Sequence, residues 1–124
     1  MAWTYQQDTG DLFDPDGSLV GVGYSGHPPY VNDHSAEGLV AHGPLPCGRY
    51  EIGEAHEDGH LGPVVMRLTP VPPFDALGRT LIDCHGDNDQ QNHTASDGCL
   101  ILARFLRELL AASADRIIDV VLSS

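Results

Sequence analysis

This chain predicts a mostly β domain, a sheet sandwich or barrel, with one packed α-helix near the C-terminus. Three observations carry that prediction. Short runs of β-branched and aromatic residues, broken by glycine, proline and aspartate turns, fill the sequence as far as Cys84. A single late segment repeats its leucines at helical spacing. The 124 residues, 41% of them hydrophobic, suit one core rather than two, so residues 1–124 read as a single domain.

The elements follow in order. Trp3-Thr4-Tyr5-Gln6, Asp11-Leu12-Phe13 and the run from Ser18 to Tyr24 form a meander of strands, turned at Thr9-Gly10 and Asp14-Pro15-Asp16-Gly17. Two turn-rich loops come next, Gly26 to His34 and Gly43 to Gly48, the second feeding a strand at Arg49-Tyr50-Glu51-Ile52. Loops of this kind often frame a site. Val64 to Thr69 and Thr80 to Cys84 are rich enough in β-branched and apolar residues to be central strands, separated by the proline-containing loop Pro70 to Gly78. Leu100, Leu102, Phe105, Leu106, Leu109 and Leu110 set out an amphipathic helix from near Cys99 to about Ser113, with Arg104, Arg107 and Glu108 on its other side. Arg116 to Leu122 is a closing strand. There is no internal repeat or low-complexity tract to suggest a second unit.

Six basic against eighteen acidic side chains give a net charge of −12, which repels nucleic acid phosphates and anionic lipid alike. The expectation is no nucleic acid partner and no membrane insertion. Met1 to Asp8 lacks the basic and apolar regions of a signal peptide, and no run approaches the ~20 apolar residues of a membrane span, so synthesis in the cytoplasm is expected. Three cysteines, Cys47, Cys84 and Cys99, are an odd number, which argues against a disulfide framework and for a free thiol.

The segment from Cys84 to Cys99, CHGDNDQQNHTASDGC, concentrates the chemistry. His85 stands at a strand end, and Cys99 follows the turn Ser96-Asp97-Gly98 at the expected start of the helix. A thiol there would feel the positive end of the helix dipole, and unpartnered backbone N–H groups nearby could form an oxyanion hole. A cysteine nucleophile needs a base, and His85 is the candidate. Gly86 and Gly98 let the backbone approach a substrate closely. Cys84, next to His85 on a strand, should point the other way and fill the core.

His85-Gly86, with thirteen residues between His85 and Cys99 and the latter within Ser96-Asp97-Gly98-Cys99, resembles the HG…SxGC signature of YkuD-type L,D-transpeptidases. Trp3 to Gln6, Gly23-Tyr24-Ser25-Gly26, Gly43 to Tyr50 and Met66 to Pro70 resemble the compact branch that includes the type VI secretion L,D-transpeptidase effectors (Tlde1-like). The resemblance thus spans nearly the whole chain. It implies a YkuD-like fold and cell-wall chemistry without metal or organic cofactor, in which a cysteine attacks a peptidoglycan stem tetrapeptide and forms a thioester. Water then gives L,D-carboxypeptidase activity, and an amine gives exchange or crosslinking. On this carry-over Cys99 is nucleophile, His85 base, Ser96 orients the imidazole through its carbonyl, and the N–H groups of Gly98 and Cys99 hold the oxyanion. Tyr24, Gly86, Asp97 and Arg104 are the substrate-binding candidates. The common motif has a histidine where this chain has Asp97 and an arginine where it has Ile101; Arg104, one helical turn on, either replaces that anchor or solvates the helix. The implied biology is an antibacterial toxin delivered by a secretion machine into a target cell's periplasm, with an immunity protein as a further partner.

Rival readings use the same residues. Cys84, His85, His93 and Cys99 are zinc-type ligands, but their spacing lacks the paired ligands of zinc ribbons and fingers. Asp87, Asn88 and Asp89 lack the glycine and distal glutamate of an EF-hand. A papain-like or NlpC/P60 peptidase places cysteine before histidine, the reverse of the order here. A wall-binding or structural module with inert thiols is the non-enzymatic alternative. Cys47 reads as a bystander thiol, and His27, His34, His42, His56 and His60 as loop histidines, with His27 or Tyr24 the candidates to line a cleft.

Overall fold

A computed structural model describes residues 1–79, 81–87 and 98–123. Among the described residues, ten strands and one α-helix follow one another as β1 (Trp3–Gln6), β2 (Asp11–Phe13), β3 (Leu19–Val22), β4 (Tyr24–Ser25), β5 (Gly48–Ile52), β6 (His56–Asp58), β7 (Gly62–Pro70), β8 (Asp83–His85), β9 (Leu100–Ile101), α1 (Arg104–Ala112) and β10 (Ile117–Val121). Hydrogen bonding orders nine of the strands as β3-β2-β1-β10-β5-β7-β8-β9-β4, with β6 paired to β7. Because β3 and β4 are consecutive in the chain yet lie at opposite ends of that order, the sheet must curl until its ends nearly meet. The result is the predicted mostly β, barrel-like sheet with a late helix.

Gly23 makes the corner between β3 and β4. A side chain there would run into the carbonyl of Ile101 in β9 and the Leu102 side chain. Its N–H donates to the Gly10 carbonyl at 2.8 Å, and Gly10, at φ +82°, likewise has no room for a Cβ against the Gly23 carbonyl. Two glycines therefore let the meander hand the chain from β2 to β9 within one residue. The continuous strand expected from Ser18 to Tyr24 is split here for that reason.

The core joins Tyr5 and Leu12 of the meander to Tyr50, Met66, Leu68, Cys84, Leu100 and Ile118 of the central strands, and to Leu106 and Leu110 of the helix. Cys84 is fully buried, as its place on the strand predicts, and burial pushes its thiol up to about 12. Two expectations about the helix need correction. It begins at Arg104, not near Cys99, because Leu100 and Ile101 are drawn into β9 between β4 and β8. Its faces also differ: Phe105 and Leu109 are exposed, while Arg107 is buried, donating to the carbonyls of Leu102 (3.0 Å), Pro63 (2.6 Å) and Val64 (3.1 Å). A guanidinium that saturates three carbonyls can sit inside where a simple charge could not. The expected strand over Thr80 to Cys84 is observed as Asp83–His85; Thr80 lies outside the described residues. Among the described residues, no helix is long and apolar enough to cross a membrane.

Candidate active site

The site is set by register. Met66, Cys84, Leu100 and Ser25 pair in line across β7, β8, β9 and β4, and all four are fully buried. Side chains alternate along a strand, so the next line, His85 with Ile101 and Tyr24, takes the opposite face. Cys99, one residue before Leu100, falls on that same face. His85, at the end of β8, and Cys99, in the bend that leads into the parallel strand β9, are thus diagonal neighbours, roughly 8 Å apart at Cα by standard strand spacings.

His85 is fixed on both sides. Its backbone carbonyl accepts from the Leu102 N–H at 3.1 Å, extending the β8–β9 ladder. Its ring Nδ1 lies 2.8 Å from the Gly86 carbonyl. A carbonyl can only accept, so Nδ1 carries the proton and Nε2 keeps its lone pair. Burial lowers the imidazole's pKa below the ordinary histidine value, opposed by the Gly86 hydrogen bond and by Asp83 and Asp58 and assisted by Arg107. The ring is therefore neutral at pH 7 and chemically a base.

The sulfur of Cys99 sits near two backbone groups, the Asp83 N–H at 3.4 Å and the Leu81 carbonyl at 3.9 Å. Because β9 intervenes between Cys99 and α1, a helix dipole does not act on it. What surrounds the sulfur instead is a strand N–H and a buried arginine. Arg79 donates to the carbonyls of Pro44 (2.8 Å), Glu37 (3.3 Å) and Gly43 (3.5 Å). Its guanidinium lies against Gly98, where any side chain would collide with it, and Gly98 itself adopts φ +115°. Burial lowers the Arg79 pKa, and Tyr50, Cys99 and Glu37 oppose that shift, so Arg79 and the Cys99 sulfur attract one another. Ser25 fixes the backbone of Cys99: its hydroxyl donates to the Cys99 carbonyl at 2.7 Å and accepts from the Leu45 N–H at 2.8 Å.

A cleft of about 590 Å³ opens next along the chain from His85, lined by residues that include Tyr24, Gly86, Asp87, Ile101, Arg104 and Arg107; neither His85 nor Cys99 lines it. Tyr24 donates to Asp87 at 2.8 Å across it. Three of the four expected substrate-binding residues, Tyr24, Gly86 and Arg104, thus lie together. Arg104 is also within 3.7 Å of Glu108 in an exposed pair. Ser96 and Asp97 lie outside the described residues, as do His93, Asn88 and Asp89. The sequence reading missed Arg79, Ser25, Asp83 and the carbonyl of Gly86. Arg79 and Arg107 are two of only six basic residues, and scarcity in so acidic a chain was the available signal.

The Tlde1 domain family matches residues 21–119 of this chain. No relative was found among the curated proteins. Among solved structures, the chain resembles the one described as the Ldtfm–avibactam carbamoyl enzyme, at 15% identity and a TM-score of 0.56; the match takes in 99% of this chain and 49% of the other, so this chain spans about half that protein's length. With a family match over most of its length, and a fold shared with that solved structure, the chain belongs to the Tlde1-domain family.

Proposed function

We propose that this chain is a cysteine-dependent L,D-transpeptidase or L,D-carboxypeptidase of peptidoglycan stem tetrapeptides. The observation that supports this reading best is the register of β8 with β9, which makes His85 and Cys99, the residue just before β9, diagonal neighbours, with a cleft opening at the adjoining Gly86 and Ile101. The Cys99 thiol passes its proton to Nε2 of His85. The thiolate attacks the carbonyl carbon between the L-centre residue and the terminal D-amino acid. The N–H groups of Gly98 and Cys99 hold the oxyanion, and Arg79 favours the charged sulfur. Collapse breaks the amide, and the leaving amine takes the proton back from His85. Water attacking the thioester then gives the tripeptide acid; a D-amino acid or a second stem's amine gives exchange or a crosslink. Arg104, exposed on the cleft wall, suits the carboxylate of the stem terminus.

On this reading the protein is an antibacterial effector that acts in a target cell's periplasm, with a secretion-machine component and an immunity protein as partners. Muropeptides incubated with wild type and with Cys99→Ala and followed by mass spectrometry test the chemistry. Loss of a terminal D-alanine in the wild-type sample alone is the expected result; unchanged muropeptides in both refute it.

A further inference from the structure

A second cysteine and histidine meet far along the chain from the first. His34 opens a 3-10 turn (His34–Ala36) in the loop after β4, Glu37 follows that turn, and Cys47 lies at the entry to β5. The ring Nδ1 of His34 is 3.3 Å from Glu37 Oε2 and 3.9 Å from Cys47 Sγ, and the three donor atoms all lie within 4.8 Å of one another. The fully buried Gln7, just past β1, supplies a fourth. Its amide nitrogen donates to the Leu45 carbonyl (2.9 Å) and Glu37 Oε2 (2.8 Å), which turns its Oε1 toward His34 Nδ1 at 2.8 Å.

This is not a second nucleophile and base. One nitrogen, Nδ1, faces thiol, carboxylate and amide together, so the ring cannot take a proton on one side while being held on the other. Atoms that converge on one point from four side chains are the arrangement of a coordination shell. We infer that His34, Glu37 and Cys47 form a zinc(II) site, with Gln7 Oε1 or water as the fourth ligand. Zinc bonds of about 2.0–2.3 Å to nitrogen, oxygen and sulfur put neighbouring ligands about 3.3–3.6 Å apart, so His34, Glu37 and Cys47 need to close by up to about 1.5 Å, and Gln7 Oε1 needs to part from His34 Nδ1 by about 0.5 Å. A mixed nitrogen, oxygen and thiolate set suits zinc over magnesium or calcium.

The charges balance. On binding, the Cys47 thiol releases its proton to solvent, and the His34 proton moves from Nδ1 to the other ring nitrogen. The dication is then neutralised by one thiolate and one carboxylate. The site ties Glu37 to Cys47 across the segment that includes Gly43 and Pro44. The carbonyls of Glu37, Gly43 and Pro44 hold Arg79 against Gly98, so an ion here braces the wall beside Cys99. The inference stands apart from the chemistry proposed at Cys99.

Cobalt(II) is the probe, since its thiolate complexes absorb. The full chain carrying Cys99→Ala, stripped with chelator, leaves Cys47 and the fully buried Cys84 as thiols. One equivalent of cobalt should give a thiolate-to-metal band with tetrahedral visible bands, both displaced by zinc, and excess zinc should raise Tm by about 5 °C or more. Cys47→Ser should abolish the band, and His34→Ala, at an exposed position, should weaken binding at least about 10-fold with native circular dichroism. A folded Cys99→Ala chain that gives no band, or a band that survives Cys47→Ser, overturns the site.

Discussion

Cys99 with His85 and Cys47 with His34 place the same two side chains together in one small fold, yet their surroundings differ in kind. The first pair comes from the end of β8 and the residue that leads into its neighbour β9, so the register of two adjacent strands brings them together. His85 has one nitrogen anchored on a carbonyl and the other left as a base. The second pair comes from a loop, with one nitrogen pointed at several donors and acceptors at once. The charges differ as well. Cys99 lies near Arg79, whereas Cys47 lies near Glu37 and Asp8, and burial with those carboxylates pushes its thiol up to about 11. Proximity of thiol to imidazole does not make a nucleophile; a free base nitrogen and a neighbouring positive charge do.

The largest effect that could break this contrast is on turnover. Cys99→Ala and His85→Ala should each reduce release of the terminal D-amino acid by about 10³-fold or more while the fold survives, because the pair works as one unit. Release that persists in either variant would move the chemistry elsewhere. The next effect is on thiol reactivity. In metal-free buffer near neutral pH, Cys99 should react with iodoacetamide first and Cys47 far more slowly, since its raised pKa makes thiolate about 100-fold scarcer than in an ordinary cysteine. Cys84, with no exposure, should react only on unfolding. Peptide mapping of the alkylated sites reads the order directly.

The parts of this contrast that were legible in the sequence are those set by local pattern. β1 and β2 match their expected boundaries, and the alternation that sends Cys84 into the core and His85 to the opposite face follows from adjacency on a strand. The motif pointed to the pair and the cleft residues Tyr24, Gly86 and Arg104. What was hidden depends on distant contacts. Leu100 and Leu102 continue the helical leucine spacing, but pairing of Leu100 and Ile101 with β4 and β8 satisfies their backbone groups better than a helix turn would, so tertiary hydrogen bonding overrides local periodicity. Arg79 reads as a loop residue until the segment from Glu37 to Pro44 folds over it. His34 and Cys47 are thirteen residues apart and meet only because the loop returns on itself.

A smaller effect tests whether Arg79 is what distinguishes the Cys99 side. Gly98→Ala forces a side chain into the Arg79 guanidinium at a positive φ, so it should cost about 2–4 kcal/mol by denaturant unfolding and slow Cys99 alkylation. Arg79→Ala, which leaves three carbonyls short of a donor, should cost a similar amount, and Arg79→Lys should recover part of the labelling rate by restoring the charge. Equal alkylation rates in all three would remove Arg79 from the electrostatics of the sulfur. Ser25→Ala should cost less, about 1–3 kcal/mol, since it leaves the Cys99 carbonyl and the Leu45 N–H without their shared partner.

The smallest effect is the pH dependence of His85. Burial favours its neutral ring, so its folded pKa lies below the ordinary histidine value of about 6.5 that governs the unfolded chain. Between those two values the unfolded state binds more protons than the folded one, and stability therefore rises with pH across that window. Its contribution is complete above pH 6.5 and is lost as pH falls toward the folded value. The acid limb of the rate should sit in the same window, displaced to lower pH than for an exposed histidine. Other carboxylates titrate in acid too, Asp8 and Asp58 among them with lowered pKa values, so the informative quantity is the difference between wild type and His85→Gln. Unfolding midpoints of the two proteins, taken from pH 7.5 to 5, should converge as the pH falls if burial of the imidazole is what holds the base neutral. Curves that stay parallel would mean that His85 accepts its proton in the fold as readily as in water, and that the difference between the two cysteine sites rests on Arg79 alone.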